Sequence, residues 1–201
     1  MSGFEEMRAW GRAIMSGDKV RFRAINPEDR PILALWWSDA GEAILQQERI
    51  ALLPAERIGA TFDAWSSNDS PAGAGFAVVD GDEHLIGHVT IWGITVPTRI
   101  ATLAIIIGPD FQNRGYGRDA MGVALRFAFQ EMGAHKVEVQ AWDYNDRAVR
   151  LYKSLGFVEE GRRRAAAFHQ SRFHSQVQLG LLFDEYAARV AAQTVNSAGR
   201  A

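Results

Sequence analysis

The chain has 201 residues, 47% of them hydrophobic and 23% charged, with 22 Lys+Arg against 24 Asp+Glu. That balance suits one folded domain with an apolar core, and it argues against disorder and against a dedicated nucleic-acid binder. It contains no cysteine, which excludes disulfides, thiolate metal centres, iron–sulfur clusters and a cysteine nucleophile.

The first segment, Met1–Gly17, has helical spacing at Phe4, Met7, Trp10 and Ile14 and reads as an accessory helix or extension covering residues 1–18. Its charges at Glu5, Glu6 and Arg8 are unlike a signal peptide. Val20–Ile25 alternates with arginines and predicts a strand. Asn26 and Pro27 predict a helix start, with Asn26 as the cap. Helical segments follow to about Ile50 and again over Pro54–Trp65, and Ser66–Gly75 reads as a turn-rich loop. Phe76–Val79 and Leu85–Ile91 form a predicted hairpin across Asp80-Gly81-Asp82.

Arg99–Ile107 predicts an Ile-rich strand and Gly115–Met132 a helix. Lys136–Trp142 predicts a strand, and Asp146–Leu155 a helix stopped by Gly156. Phe157–Glu160, Ala165–Phe168 and Val177–Phe183 read as closing strands, and Asp184–Ala201 as a helix that frays. The pattern predicts a mixed α/β (α+β) domain over residues 19–183 with one central sheet flanked by helices, and a tail over 184–201. Apolar runs such as Leu103–Ile107 are too short to span a bilayer, so the expected location is the cytoplasm, with no membrane partner.

The informative stretch runs from Ile105 to Arg118. An apolar strand ends, a short loop follows, and a helix begins at Gly115-Tyr116-Gly117. The unpaired N–H groups of a first helical turn favour an anion, and Arg114 and Arg118 add charge beside them. A phosphate or pyrophosphate is the expected ligand. Gly115–Ala120 also fits G-x-G-x-x-A, but six residues separate the strand from the glycines, Glu138 sits within its strand, and several elements precede the loop. That disfavours a dinucleotide-binding oxidoreductase.

The run Gln112-x-x-Gly115-x-Gly117 after an Ile-rich strand resembles the pyrophosphate loop of the GNAT-superfamily N-acetyltransferases. Asn145-Asp146-Arg147-Ala148-Val149-Arg150-Leu151-Tyr152-Lys153-Ser154-Leu155-Gly156-Phe157 is similar to the family's later N-x-x-A-x-x-L-Y-x-x-x-G-F segment. The two motifs stand in the expected order, and the likeness covers Val20–Phe183. Within the superfamily the chain looks most like spermidine N-acetyltransferases and ribosomal-protein N-terminal acetyltransferases.

The resemblance implies a sheet splayed near Ile107, with acetyl-CoA as co-substrate and a primary amine as acceptor, either a polyamine or a peptide N-terminal α-amine. Transfer would be direct, in a ternary complex. The resemblance assigns Ile105, Ile106 and Ile107 to the pantetheine arm, which adds to the strand edge. It assigns Gln112, Asn113, Arg114, Gly115, Tyr116, Gly117 and Arg118 to the pyrophosphate, and Asn145 to the cofactor near its acyl end. Asn145 is equally a helix N-cap. Tyr152 is the expected general acid for the leaving thiolate; the alternative is a tyrosine packed in the core with its hydroxyl bonded elsewhere. A CoA-binding sensor without turnover is the competing function. Fold-level analogy suggests a homodimer or larger homo-oligomer.

The general base is open. Thr102 stands where many family members place a glutamate, and Glu83, His84, His88 and Asp143 are candidates without motif support. An alkylamine of pKa ~10 is neutral in roughly 0.1% of copies or less at neutral pH, an α-amine near ~8 in roughly a tenth. A missing base therefore penalises polyamines more. No metal site is expected, since Glu83–His88 is not H-E-x-x-H. His169 and His174 are candidates to line an acceptor cleft, Arg162–Arg164 reads as a solvated basic face, and an indole of Trp36-Trp37 is a candidate pocket wall. Glu42, Glu48 and Glu56 are ordinary helix charges or attractors for a cationic amine. Residues 1–83 carry 14 acids and 8 bases, residues 84–201 carry 10 and 14, a polarity that suits a cationic partner near the first half and an anionic one near the second. Loops Ser66–Gly75 and Gly93–Thr98 are expected to border the acceptor site.

Overall fold

Local signals and long-range pairing agree over most of the chain. The computed structural model describes residues 2–198. Helix α1 (Gly3–Ile14) leads into strand β1 (Arg21–Arg23), then α2 (Asp29–Ser38), α3 (Ala40–Gln46) and α4 (Ala55–Trp65). Strands β2 (Ala74–Val79), β3 (Leu85–Trp92) and β4 (Ile100–Ile107) form an antiparallel meander. Then come α5 (Tyr116–Arg126), β5 (Lys136–Trp142), α6 (Asp146–Leu155), β6 (Val158–His169), β7 (Arg172–Leu182) and α7 (Phe183–Ala198). The fraying expected at the very end concerns residues 199–201, outside the described residues. Among the described residues, no helix is long and apolar enough to cross a membrane.

The seven strands make one mixed sheet in the order β1-β2-β3-β4-β5-β7-β6. Every neighbouring pair is antiparallel except β4–β5. That parallel pair is joined only over Ile100–Thr102 against Lys136–Glu138, and the strands then part. Leu103–Ile107 therefore has β3 on one side and a gap on the other. Helix α5 buries Met121, Val123, Ala124 and Leu125 in the larger core cluster with Val89, Leu103, Val137 and Leu179. On the opposite side Leu33, Ile58 and Phe62 of α2 and α4 pack with Ala77, Leu85 and Ile106. Such two-sided cover explains why the central strands are almost continuously apolar.

Three local expectations are corrected. Asn26 does not cap α2; the Asp29 carboxylate accepts the Asn26 N–H at 2.7 Å and binds the Arg23 guanidinium at 2.6 and 2.9 Å. A partly buried bidentate ion pair takes precedence over a helix cap there. Phe157–Glu160 and Ala165–Phe168 are not separate strands but parts of β6, with register shifts at Glu159/Gly161 and Arg163/Ala167 and Ala165 at φ +54°. The helix from Tyr116 ends in a π-turn over Phe127–Glu131.

The start of the sheet is tied to α5 from a hundred residues away. Asp119 accepts the N–H groups of Asp18, Lys19 and Val20 at 3.1, 2.7 and 2.9 Å. A Cβ on Gly17 would lie 2.3 Å from the Asp119 carboxylate, so a side chain there would push that carboxylate off its three donors.

Candidate functional site

The parted strands open a cavity of about 1030 Å³, lined by Ile105–Ile107, Gln112, Asn113, Gly115, Gly117, Arg118, Asn145 and Tyr152. Of the twelve residues expected at the site, these ten meet in one space; Arg114 and Tyr116 stand outside its lining.

Main-chain direction follows from one hydrogen bond. Gly108 N–H donates to the Ile86 carbonyl at 2.9 Å, so Gly108 and, two residues back, Ile106 face β3. Ile105 and Ile107 then turn their main-chain groups into the gap. Ile106 does not: its carbonyl lies against Gly87 and its side chain is buried with Leu33 and Phe62. The Ile107 carbonyl is already occupied by Gln112 Nε2 at 3.0 Å.

Gln112 is the clamp of the loop. The same Nε2 donates to Glu42 Oε2 at 2.9 Å, and its carbonyl oxygen accepts from Arg147. Its side chain thus ties α3, β4 and α6 together and is spent on the protein. Gly115 precedes α5 at φ +87°, a left-handed conformation that glycine adopts without strain. The first turn of α5 leaves its leading N–H groups without intrahelical acceptors. The Arg114 carbonyl takes Lys19 Nζ at 3.0 Å, and Arg118 donates to Ser154 Oγ at 2.6 Å. Tyr116 sets its ring edge-on to Phe111.

Asn145 is the N-cap of α6, its Oδ1 accepting the Ala148 N–H at 3.2 Å, while it also lines the cavity. Tyr152 is 7% exposed and tilts against Phe157 at 5.8 Å. Its hydroxyl has no hydrogen-bond partner among the described residues, and burial pushes its pKa up to about 12. The core-packing alternative is therefore half right: the ring packs, but the hydroxyl is not bonded elsewhere.

The base candidates separate cleanly. Glu83 pairs with Arg21, and exposed His84 lies 3.4 Å from Asp80, both in the β2–β3 turn. Asp143 accepts the Ser175 N–H at 2.9 Å and lies 3.4 Å from His174, away from the cavity lining. His88 lines the cavity, is 2% exposed, shares a 2.7 Å hydrogen bond with Ser66 Oγ, and stands edge-on to Phe62. Burial drives its pKa down to about 4, the negative charge of Asp29 opposing the shift. Thr102 lines the cavity and offers no base.

Acid stability follows from His88. The unfolded imidazole binds a proton near ~6.5 and the folded one only near ~4, so its contribution is complete above the first value and lost as pH falls toward the second. Lowering pH from about 7.5 to about 5 is expected to remove about 2 kcal/mol through this residue. Urea midpoints at the two pH values check it: His88→Gln should flatten the difference, and an equal slope in both proteins would assign the loss to other groups.

Other expectations move. His169 and His174 do not line the cavity; they surround Tyr144, with ring centroids at 6.0 and 4.8 Å. Arg162 pairs with Glu159 and Arg163 with Glu48 at the surface. Trp37 lines the cavity, whereas Trp36 packs against Gly108 and Phe111. Of the three glutamates only Glu42 reaches the cavity. Loop Ser66–Gly75 lines it broadly, but Gly93–Thr98 contributes only Gly93. Sequence reasoning missed Trp65, Trp92 and Arg147, which also line it, whereas Asn68 and Asp69 belong to the loop expected there. For Arg147 a signal existed, its place inside the α6 motif; the others have none in the sequence.

Comparison with known proteins agrees with this geometry. Residues 19–158 match the model of the acetyltransferase (GNAT) domain. The chain is 33% identical over 114 residues to spermidine N(1)-acetyltransferase of Vibrio cholerae, a match covering 57% of this chain and 66%, just under two thirds, of that protein. It is 26% identical over 111 residues to spermidine N(1)-acetyltransferase of Escherichia coli, covering 55% of this chain and 60% of that one. A crystal structure of the Vibrio cholerae spermidine N-acetyltransferase in complex with CoA and spermine superposes with a TM-score of 0.75 at 26% identity, covering 84% of this chain and 98% of the other.

Proposed function

Since the chain belongs to the acetyltransferase (GNAT) domain family, we propose that its cavity holds acetyl-CoA between β4 and β5 and passes the acetyl group directly to a primary amine, with Tyr152 as general acid. The observation that carries this reading is a buried, unbonded phenol lining the same cavity as the glycine loop and the parted strand edge.

The fit of the co-substrate rests on three features. Ile105 offers an N–H and a carbonyl, and Ile107 an N–H, where an amide-bearing pantetheine arm would replace the missing β5 partner. The loop around Gly115 and the first turn of α5 present N–H groups to a diphosphate, with Arg118 beside them. Gln112 holds that loop against β4 rather than the phosphates.

Acetyl-CoA supplies the activated thioester; the chain positions it and manages protons. As the amine nitrogen bonds to the carbonyl carbon, the carbon–sulfur bond breaks and the thiolate needs a proton. A phenol protonated up to pH about 12 remains a donor throughout the working range. The same apolar surroundings raise the thiol's pKa, which favours the transfer. With His88 too weak a base, the amine reaches the carbonyl as its neutral fraction or sheds its proton through water. With no cysteine in the chain, no cysteinyl acyl-enzyme forms.

The acceptor is a primary amine, with polyamines and peptide α-amines as the starting candidates; the named relatives are spermidine acetyltransferases. A screen of acetyl-CoA consumption over polyamines, amino acids, aminoglycosides and N-terminal peptides tests the reading. Turnover with at least one amine class is expected. Tight CoA binding with no turnover on any amine would replace it with a CoA sensor, and preference for NAD over CoA in a thermal-shift comparison would discard it.

A further inference from the structure

We propose that the acceptor is a primary amine with an aromatic or bulky apolar substituent and no second cationic centre, selected by the tryptophan wall formed by Trp37, Trp65 and Trp92. This rests on the acetyltransferase reading and narrows its substrate.

The cavity has two chemically different ends. Ile107 adjoins the loop that leads to Gly115 and α5, whereas Thr102, five residues earlier on β4, lies about 16 Å away along the strand. Trp92 pairs with Thr102 at that distant end. Trp65 closes α4, and its carbonyl lies against Gly75, the partner of Thr90 on β3. Trp37 meets Trp65 edge-on at 5.4 Å. Trp65 and Trp92 thus line the β3 side of the cavity toward the Thr102 end, with Trp37 beside Trp65 on the cluster that includes Ile106.

Trp65 and Trp92 are 37% and 45% exposed, Trp65 resting edge-on against Phe62 at 5.3 Å, and all three indoles line the cavity. Large apolar rings turned toward a concave space mark a ligand with an apolar body. The charges agree. Glu42 and Asp69 are the carboxylates that line the cavity among the described residues. Glu42 is held by Gln112, beside the loop. Asp69, accepting from Ser67 Oγ at 2.8 Å, is the carboxylate of the loop that follows Trp65. Asn68 beside it adds a neutral polar group. A polyamine would bring further ammonium groups to a wall with Asp69 as its one carboxylate, and cation–π contact with the indoles, worth about 0.5–2 kcal/mol, repays only part of the hydration they lose. An aryl group gains from the same indoles without that loss.

The test compares kcat/KM for 2-phenylethylamine, tryptamine, propylamine and spermidine with the full-length protein, and repeats the series with Trp92→Ala. Trp92 is outside the buried core clusters, so this variant should fold, and its thermal midpoint checks that. The arylalkylamines are expected to exceed propylamine and spermidine at least tenfold, and Trp92→Ala to erase most of that advantage while CoA binding measured by calorimetry stays within twofold. Spermidine equal to or better than the arylalkylamines, or an equal fall for every amine in Trp92→Ala, overturns the inference and leaves the acetyltransferase standing. Absence of turnover with all four amines and across the wider screen overturns both.

Discussion

Tyr152→Phe is expected to lower kcat by a factor on the order of 10² to 10⁴, the range for loss of a positioned general acid. The substitution removes one oxygen and keeps the ring that packs on Phe157. That hydroxyl makes no hydrogen bond to the described protein, so its removal leaves no buried partner orphaned, and stability should change little. CoA affinity should be nearly intact, since the loop and strand edge proposed to hold the cofactor are untouched. A fall in kcat without a comparable change in CoA dissociation constant therefore separates chemistry from binding. An unchanged kcat would discard the acid role and return Tyr152 to the core as a packing residue.

The largest stability effect is expected at Asp29. Its carboxylate is 5% exposed and takes both branches of the Arg23 guanidinium and the Asn26 N–H. Burial pulls the Asp29 carboxyl upward, but the guanidinium and the N–H outweigh it and hold its pKa below the ordinary range. Asp29→Ala would leave a mostly buried guanidinium without its counter-charge, at a cost of about 3–5 kcal/mol. Asp29→Asn keeps the shape, loses the charge and should fall between. Equilibrium urea unfolding measures both; a loss below about 1 kcal/mol in Asp29→Ala would mean that the pair behaves as a solvated surface bridge. The effect reaches the cavity, because Asp29 begins the helix that carries Trp37 and its negative charge opposes the burial of His88.

Legibility in the sequence followed the range of the interaction concerned. Strand β5 and helix α6 fall on Lys136–Trp142 and Asp146–Leu155 as read, because alternation, the Asn145 cap and the Gly156 stop lie within the elements they define. The glycine loop was legible for the same reason: Gly115 and the first turn of α5 are neighbours in the chain. Strand β6 was misread because Arg162–Arg164 interrupts the alternation, and only pairing with β7 carries the strand through its two bulges. Asn26 was misread because Asp29 answers to Arg23, on the preceding strand, rather than to the helix start.

The candidate site divides along the same line. Its cofactor half was readable as two motifs, but the work of each residue within it was not. Gln112 sits in the loop motif yet spends its amide on Glu42, seventy residues earlier, and on Ile107. His169 and His174 were plausible cleft residues until pairing across the β6–β7 turn set them around Tyr144.

The sequence by itself determined the order of elements through α6, the glycine turn at Gly115 and the position of Tyr152 on α6, since each depends on residues within a few places of one another. Only the tertiary structure decided where β4 leaves β5, which indoles face the cavity and how Asp119 fastens Asp18–Val20, a hundred residues away. Those outcomes depend on which surfaces the packed sheet brings together, and a chain-local pattern carries no record of a partner that is distant along the chain.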